Sequence, residues 1–131
     1  MNTINETNYI ELAQEVMKKL QKPNRRNPDR LEFNFKTTQI RKLLSMTANI
    51  SDQVKAMKDS TLPQDILSKV NNLHIQIVYQ AGRKSEVKEF VEKAKLLEII
   101  KEIGNNRENL LLFCRYMEAL VAYHRFLGGE N

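Results

Sequence analysis

The chain has no tryptophan, one cysteine, three prolines, four glycines and two histidines among its 131 residues. A lone Cys114 excludes an internal disulfide and any multi-cysteine metal site, and it fits a reducing compartment. The two histidines, His74 and His124, show no HExxH-type spacing, so they offer little for a metal centre. With so few glycines there is no loop to cradle phosphates, and no serine elbow occurs either. No apolar run approaches the length that crosses a bilayer, and the opening MNTINETNY is polar and acidic, unlike a secretory leader. These absences predict a soluble, cytoplasmic protein with no membrane association, no metal, no cofactor and no catalytic residue.

What is present points to helices. Leu, Glu, Lys and Ala are plentiful, and no alternating run demands a sheet. At this length residues 1–131 are expected to form one domain with a real core. The charge is unevenly placed. Residues 18–42 carry nine basic side chains against Asp29 and Glu32, a surplus of seven, while the remainder holds twelve basic and fourteen acidic residues. That concentration suits a polyanion such as nucleic acid; a solvated basic loop kept for solubility is the alternative.

Hydrophobic spacing predicts five helices. The first runs from about Thr7 to Lys22, with Tyr9, Ile10, Ala13, Val16, Met17 and Leu20 on one face and a Thr3/Glu6 capping box upstream. Pro23 ends it and opens a basic, irregular loop over 22–36, where Leu31, Phe33 and Phe35 alternate; a short extended piece is one reading, and three side chains that pin the loop to the body is the plainer one. Thr37 or Thr38 caps the second helix, which buries Ile40, Leu43, Leu44, Thr47, Ile50 and Val54 and ends near Lys58. Pro63 starts the third, whose stripe is Ile66, Leu67, Val70, Leu73, Ile77 and Ala81, and Gly82 stops it in a left-handed position. Ser85 caps the fourth, an unbroken helix to Gly104 carrying Val87, Phe90, Val91, Ala94, Leu97 and Ile100. Asn105 or Asn106 opens the fifth, and Gly128–Gly129 ends it.

That last helix contains FCRYMEALVAYHRFLGG, residues 113–129, and is apolar around most of its circumference. Such a helix is a buried one, which predicts an all-α single bundle of about five helices with the C-terminal helix central. His124 falls within its apolar sector, where a core histidine bonded to a tyrosine or a backbone carbonyl is the plainer reading and a base-stacking histidine the other. Cys114 lies on the same apolar side, as a structural thiol rather than a nucleophile. Carboxylates spread along helix surfaces near lysines, as in Glu89–Lys93, Glu98–Lys101 and Arg115–Glu118, the pattern of solvated faces. Arg83 and Lys84 occupy the turn before the fourth helix, where free N–H groups favour an anion, although Glu86 and Glu89 compete for that place. Arg41 and Lys55 share a face of the second helix, with Lys42 one step round and Lys36 just before it, extending the positive surface of the loop. The low aromatic content away from the core argues against a base-stacking platform for free single strands.

TTQIRKLLSMT (37–47), IQIVYQAGR (75–83) and above all FCRYMEALVAYHRFLGG resemble the small subunit of type III-A CRISPR effectors, the Csm complex, over about residues 7–129. Leu127 stands where an aromatic is expected. The resemblance implies a non-catalytic helical subunit present in several copies. Those copies would self-associate in a filament beside the backbone subunits, with the large subunit also a partner. They would line the channel where target RNA pairs with guide RNA. Cleavage would belong to the other subunits. The implied RNA-binding residues in the matching motifs are Arg41, Lys42, Arg83, Arg115 and Arg125; the neighbouring Lys36, Lys55 and Lys84 are added as candidates by position alone. A stand-alone helical DNA-binding regulator and a protein-interaction module are the competing functions. The former is weakened by the long loop before the second helix, unlike the short turn of a helix-turn-helix unit.

Overall fold

A computed structural model describes residues 1–130. It is an all-helical bundle with one small hairpin: α1 (Tyr9–Leu20), β1 (Lys22–Pro23), β2 (Leu31–Glu32), α2 (Thr37–Lys55), α3 (Gln64–Arg83), α4 (Ser85–Lys93), α5 (Leu96–Glu102) and α6 (Arg107–Phe126). None of these helices is long and apolar enough to cross a membrane. The core draws on every helix, with Met17, Leu20, Ile40, Leu43, Ile66, Leu73, Ile77, Phe90, Leu96 and Phe113 wholly enclosed.

Among the described residues there are six helices, where about five were expected, because the expected fourth helix breaks at Lys95. Its backbone takes the left-handed conformation, φ 57° and ψ 37°. Val87, Phe90, Val91 and Ala94 are buried before the break, and Leu96, Ile99, Ile100 and Ile103 after it. An unbroken helix would have continued the first stripe through Glu98 and Lys101. The kink rotates the chain so that the second apolar set faces inward instead. The carbonyl of Ala94, freed at the kink, accepts a 2.9 Å hydrogen bond from the Tyr116 hydroxyl on α6. An L-residue at positive φ is strained by about 1 kcal/mol. Lys95→Gly should therefore raise stability by roughly that amount, read as a higher urea midpoint at unchanged slope.

Several helix ends differ from expectation, each for a local reason. Thr3 does not form a capping box with Glu6; its N–H and hydroxyl donate to Glu102 at 2.9 and 2.6 Å, tying the N-terminus to α5. Burial opposes ionisation of Glu102, but the Thr3 bonds outweigh it and hold its pKa below the ordinary value. Asn5 Oδ1 instead accepts from the N–H groups of Thr7 and Asn8. Before α2, the carboxamide of Gln39 accepts from the Lys36 N–H at 2.8 Å, and neither threonine caps. Pro63 sits outside α3 as its cap residue. Gly82 is helical rather than left-handed, and Lys84 alone separates α3 from α4. Asn106 does cap α6, its side chain accepting from Asn109 N–H at 2.9 Å.

The C-terminal helix shares the centre. α6 packs mainly on α1 and α2 and touches α5, whereas α3 packs on α2, α4 and α5. Leu110 through Cys114, with Tyr116, Met117 and Leu120, are buried, but further along α6 Ala122 and Phe126 are exposed. The apolar sector is wider than the intramolecular packing uses.

The 22–36 loop is structured. Lys22 pairs with Glu32 and Pro23 with Leu31 in an antiparallel register. Asn24 closes the hairpin, its carboxamide accepting from Arg26 and Asn27 N–H and its own N–H donating to the Arg30 carbonyl at 2.8 Å. Of the three expected anchors, Phe35 is buried and Phe33 half-buried, while Leu31 is exposed.

The anchoring point is His124, which is fully buried. Its ring stacks on Phe35 at 4.6 Å and 24° and lies 4.6 Å from Phe33. Nε2 is 3.1 Å from the Phe35 carbonyl and Nδ1 3.3 Å from the Thr37 hydroxyl. A carbonyl can only accept, so the proton is on Nε2 and the Thr37 hydroxyl donates to Nδ1. Gly128, at φ 101°, turns the chain back over α6. Gly129 then lies against the ring so closely that a Cβ there would come within 2.3 to 2.4 Å of three ring atoms. Thr37 N–H finally donates to the Glu130 carbonyl at 3.0 Å. One imidazole thus joins the end of the basic loop, the start of α2, the end of α6 and the C-terminal strand of chain.

Candidate nucleic-acid interface

The start of α2 faces the α3–α4 corner across a cleft of about 310 Å³ lined by Thr38, Gln39, Lys42, Gln80, Arg83, Lys84 and Val87. The helical period explains the lining. Thr38 and Lys42 are one turn apart on α2, and Gln80 and Arg83 are three apart on α3, so each pair projects on one side. Lys42 also edges a second groove of about 350 Å³ between α2 and α3, with Ser45, Met46, Asn49, Ile50, Lys69 and Asn72. A single polar strip therefore runs along the α2–α3 seam, cationic at Lys42, Lys69, Arg83 and Lys84 and carrying amides and hydroxyls between.

None of these cations closes an ion pair within 4.0 Å, although the Glu86 carboxylate lies near enough to Lys84 for the two charges to interact. Among the described residues the ion pairs are Lys22–Glu89 at 2.9 Å and Arg107–Glu108 at 2.6 Å. The helix-surface pairs expected for Glu89–Lys93, Glu98–Lys101 and Arg115–Glu118 do not close within 4.0 Å, and Glu89 reaches the loop lysine instead. No carboxylate lines the cleft itself. The N-terminus of α4 at the corner is already served by Glu86. Its pKa is held below the ordinary carboxylate value, first by a bond from its own backbone N–H and then by Gln39, whose amide donates at 2.8 Å. An anion in the cleft would meet side-chain cations rather than an open helix end.

The other candidates fall elsewhere. Arg41 is exposed on α2 but projects about 100° round from Lys42. Lys36 is exposed just before α2, beside Gln39 of the cleft. Lys55 and Arg115 lie near the α2–α6 seam, where both act on Cys114. Arg125 is exposed at the end of α6, next to His124. Of the eight, the cleft gathers Lys42, Arg83 and Lys84. Sequence reasoning missed Lys69, which sits at the edge of the α3 core stripe, about 40° round from Leu73, and is exposed. The exposed Arg25, Arg26 and Arg30 crown the hairpin.

Chemistry beyond charge is sparse. The Cys114 thiol is buried and its pKa is pushed up to about 12, chiefly by desolvation, so it stays protonated and donates weakly to the Thr47 carbonyl. Among the described residues no group of three or more His, Cys, Asp and Glu is arranged to hold a metal ion.

The family model described as Csm2 Type III-A matches residues 11–130. The chain belongs to the Csm2 family of type III-A CRISPR systems. It is 44% identical over 131 residues, the full length of both chains, to the "CRISPR system Cms protein Csm2" of Streptococcus thermophilus. It is 48% identical over 99 residues to the protein of that name from Mycobacterium tuberculosis, covering 76% of this chain and 80% of the relative. The Enterococcus italicus Csm2 is 33% identical over 109 residues, 80% of this chain and 77% of the relative. The Csm2 match extends to residue 130 and so takes in the tail that closes over His124.

Proposed function

We propose that this Csm2-family small subunit is a non-catalytic member of an RNA-guided type III-A interference complex. Several copies stack together, and each holds the guide–target RNA duplex through its backbone phosphates along the α2–α3 strip. The supporting observation is the cleft in which Lys42, Arg83 and Lys84 converge without a carboxylate among the lining residues. Guide–target pairing already supplies specificity, so the protein needs a rigid cationic wall rather than base-edge contacts. Repetition makes modest contacts per copy add along the duplex. A second exposed surface is available for stacking or for other Csm subunits: the α1–α6 groove of about 650 Å³, lined by Tyr9, Ile10, Ala119, Ala122, Tyr123 and Phe126 together with the charged Arg115 and Glu118.

The test is Lys42, Arg83 and Lys84 changed together to Ala, with target-RNA binding by the assembled complex titrated against salt. Each lost phosphate contact lowers the slope of log K against log salt by about 0.9 in duplex DNA, so the triple variant should flatten it by about 2 to 3 per engaged copy. An unchanged affinity and slope removes the strip from the interface. Arg41→Ala, one step round the same helix, should have a smaller effect.

A further inference from the structure

α3 carries an exposed aromatic ring one helical turn before Arg83 of the cationic strip. Tyr79 is 56% exposed, and the Arg83 guanidinium carbon lies 5.6 Å from its ring centroid. Arg83 is the same side chain that lines the cleft with Lys42 and Lys84. Ile75, one turn earlier, is 63% exposed and Val78 is 48% exposed, so the ring stands on an open apolar footing rather than in a packed socket. Arg83 lies over the ring, and more than half of the Tyr79 surface is open to solvent.

We propose that Tyr79 is a stacking site for one unpaired nucleobase of the RNA whose adjoining phosphate sits in the Lys42–Arg83–Lys84 cleft. This rests on the RNA reading above and adds a contact to the base where that reading has only phosphates. The chemistry favours a base over a protein side chain. An aromatic face beside the cations Lys42 and Arg83, neither of which closes an ion pair, with a guanidinium already on it, is the combination that single-stranded nucleic acids use, stacking plus charge. A lone ring holds one base and not a track of them. The site therefore suits a base extruded from a duplex or one at the end of a paired segment, and it tolerates any base because each has a π-face.

The experiment uses the full chain and a short single-stranded RNA bearing 2-aminopurine, at low salt. Wild-type protein should quench the probe, and Tyr79→Ala should abolish the quenching and weaken binding about tenfold. Tyr79→Phe should keep both within about twofold, because the ring acts and not the hydroxyl. The salt slope should be the same in all three, as no charge changes. Replacing the base by an abasic ribose should weaken wild-type binding to the level of Tyr79→Ala and leave Tyr79→Ala unaffected. Equal affinities for wild type and Tyr79→Ala, or an abasic RNA bound as well as the intact one, overturns the proposal. If Tyr79→Ala leaves RNA binding intact and instead changes the sedimentation of the protein, the α3 ridge is a protein-docking surface. The triple alanine variant separates the two readings: if it loses RNA while Tyr79→Ala does not, the phosphate strip stands and the stacking site falls.

Discussion

Replacing His124 by alanine is expected to cost about 3 to 5 kcal/mol of unfolding free energy, a large part of what a domain of this size possesses. Two effects combine. The ring fills the space between Phe33, Phe35 and Gly129, so its loss leaves a cavity that those groups fill only in part. The Phe35 carbonyl and Thr37 hydroxyl also lose their partner inside the protein, at about 1 to 3 kcal/mol for each group left unsatisfied. His124→Phe restores the ring without the hydrogen bonds and should recover part of the loss. Urea denaturation of the three proteins measures the division.

The same residue gives the fold a pH dependence of definite sign. Burial lowers the His124 pKa below its ordinary 6.5, a bond to the Phe35 carbonyl works the other way, and Arg125 nearby lowers it further. The neutral ring is the native form, so the unfolded chain binds the proton more readily. Stability from this group is full above pH 6.5 and declines as the pH falls below it, with a slope of at most about 1.4 kcal/mol per pH unit. Glu86 and Glu102, whose pKa values are lowered from 4.5, add their losses only at more acidic pH. Between pH 7.5 and 5.5 the wild-type urea midpoint should fall, and in His124→Phe most of that fall should vanish. A midpoint equally pH-dependent in the variant assigns the effect to another group.

How much of this was readable beforehand depended on whether the signal was local. Helical stripes are local, and most of the residues expected to be buried in α1, α2 and α3 are buried; Tyr9, Leu44 and Leu67 are half-buried and Ile10 is exposed. The Lys95 kink was also written in the chain, as two apolar sets out of phase around it. Reading Val87 to Ile100 as one stripe hid it, because Leu97 is tolerable on either side. The alternation of Leu31, Phe33 and Phe35 allowed a short extended piece, but its pairing escaped because the partner Lys22–Pro23 is only two residues long, and the register is set by Asn24 and by Glu32 opposite Lys22. The cleft was half legible. Lys42, Arg83 and Lys84 were visible as cations, but their convergence needs the crossing of α2 over the α3–α4 corner, which no spacing encodes. The motif that pointed most strongly to the family, ending in AYH and GG, proves to be structural. Its histidine and Gly129 pack against the end of the loop that carries the basic residues.

Phe35→Ala is expected to match His124→Ala in size, about 3 to 5 kcal/mol, and to report on the same joint from the opposite side. The ring is buried at 1% exposure, 5.3 Å from Phe90 on α4 and 4.6 Å from His124 on α6. Its removal therefore loosens the loop from two helices together. Because the two side chains touch, their losses are not independent. The double variant should fall short of the summed single losses by about 0.5 to 3 kcal/mol, whereas Phe35→Ala combined with the Lys95→Gly change in the α4–α5 kink should add. The functional consequence follows from position. Lys36 comes directly after Phe35, and Thr37 opens the helix that presents Lys42, so a loop freed at Phe35 blurs one edge of the cationic strip while its charge stays constant. RNA affinity in the assembled complex should drop with the salt slope nearly preserved, the reverse of the Lys42, Arg83 and Lys84 triple variant. A Phe35→Ala complex that binds RNA normally, despite the expected loss of stability, would show that the basic loop and the strip act separately.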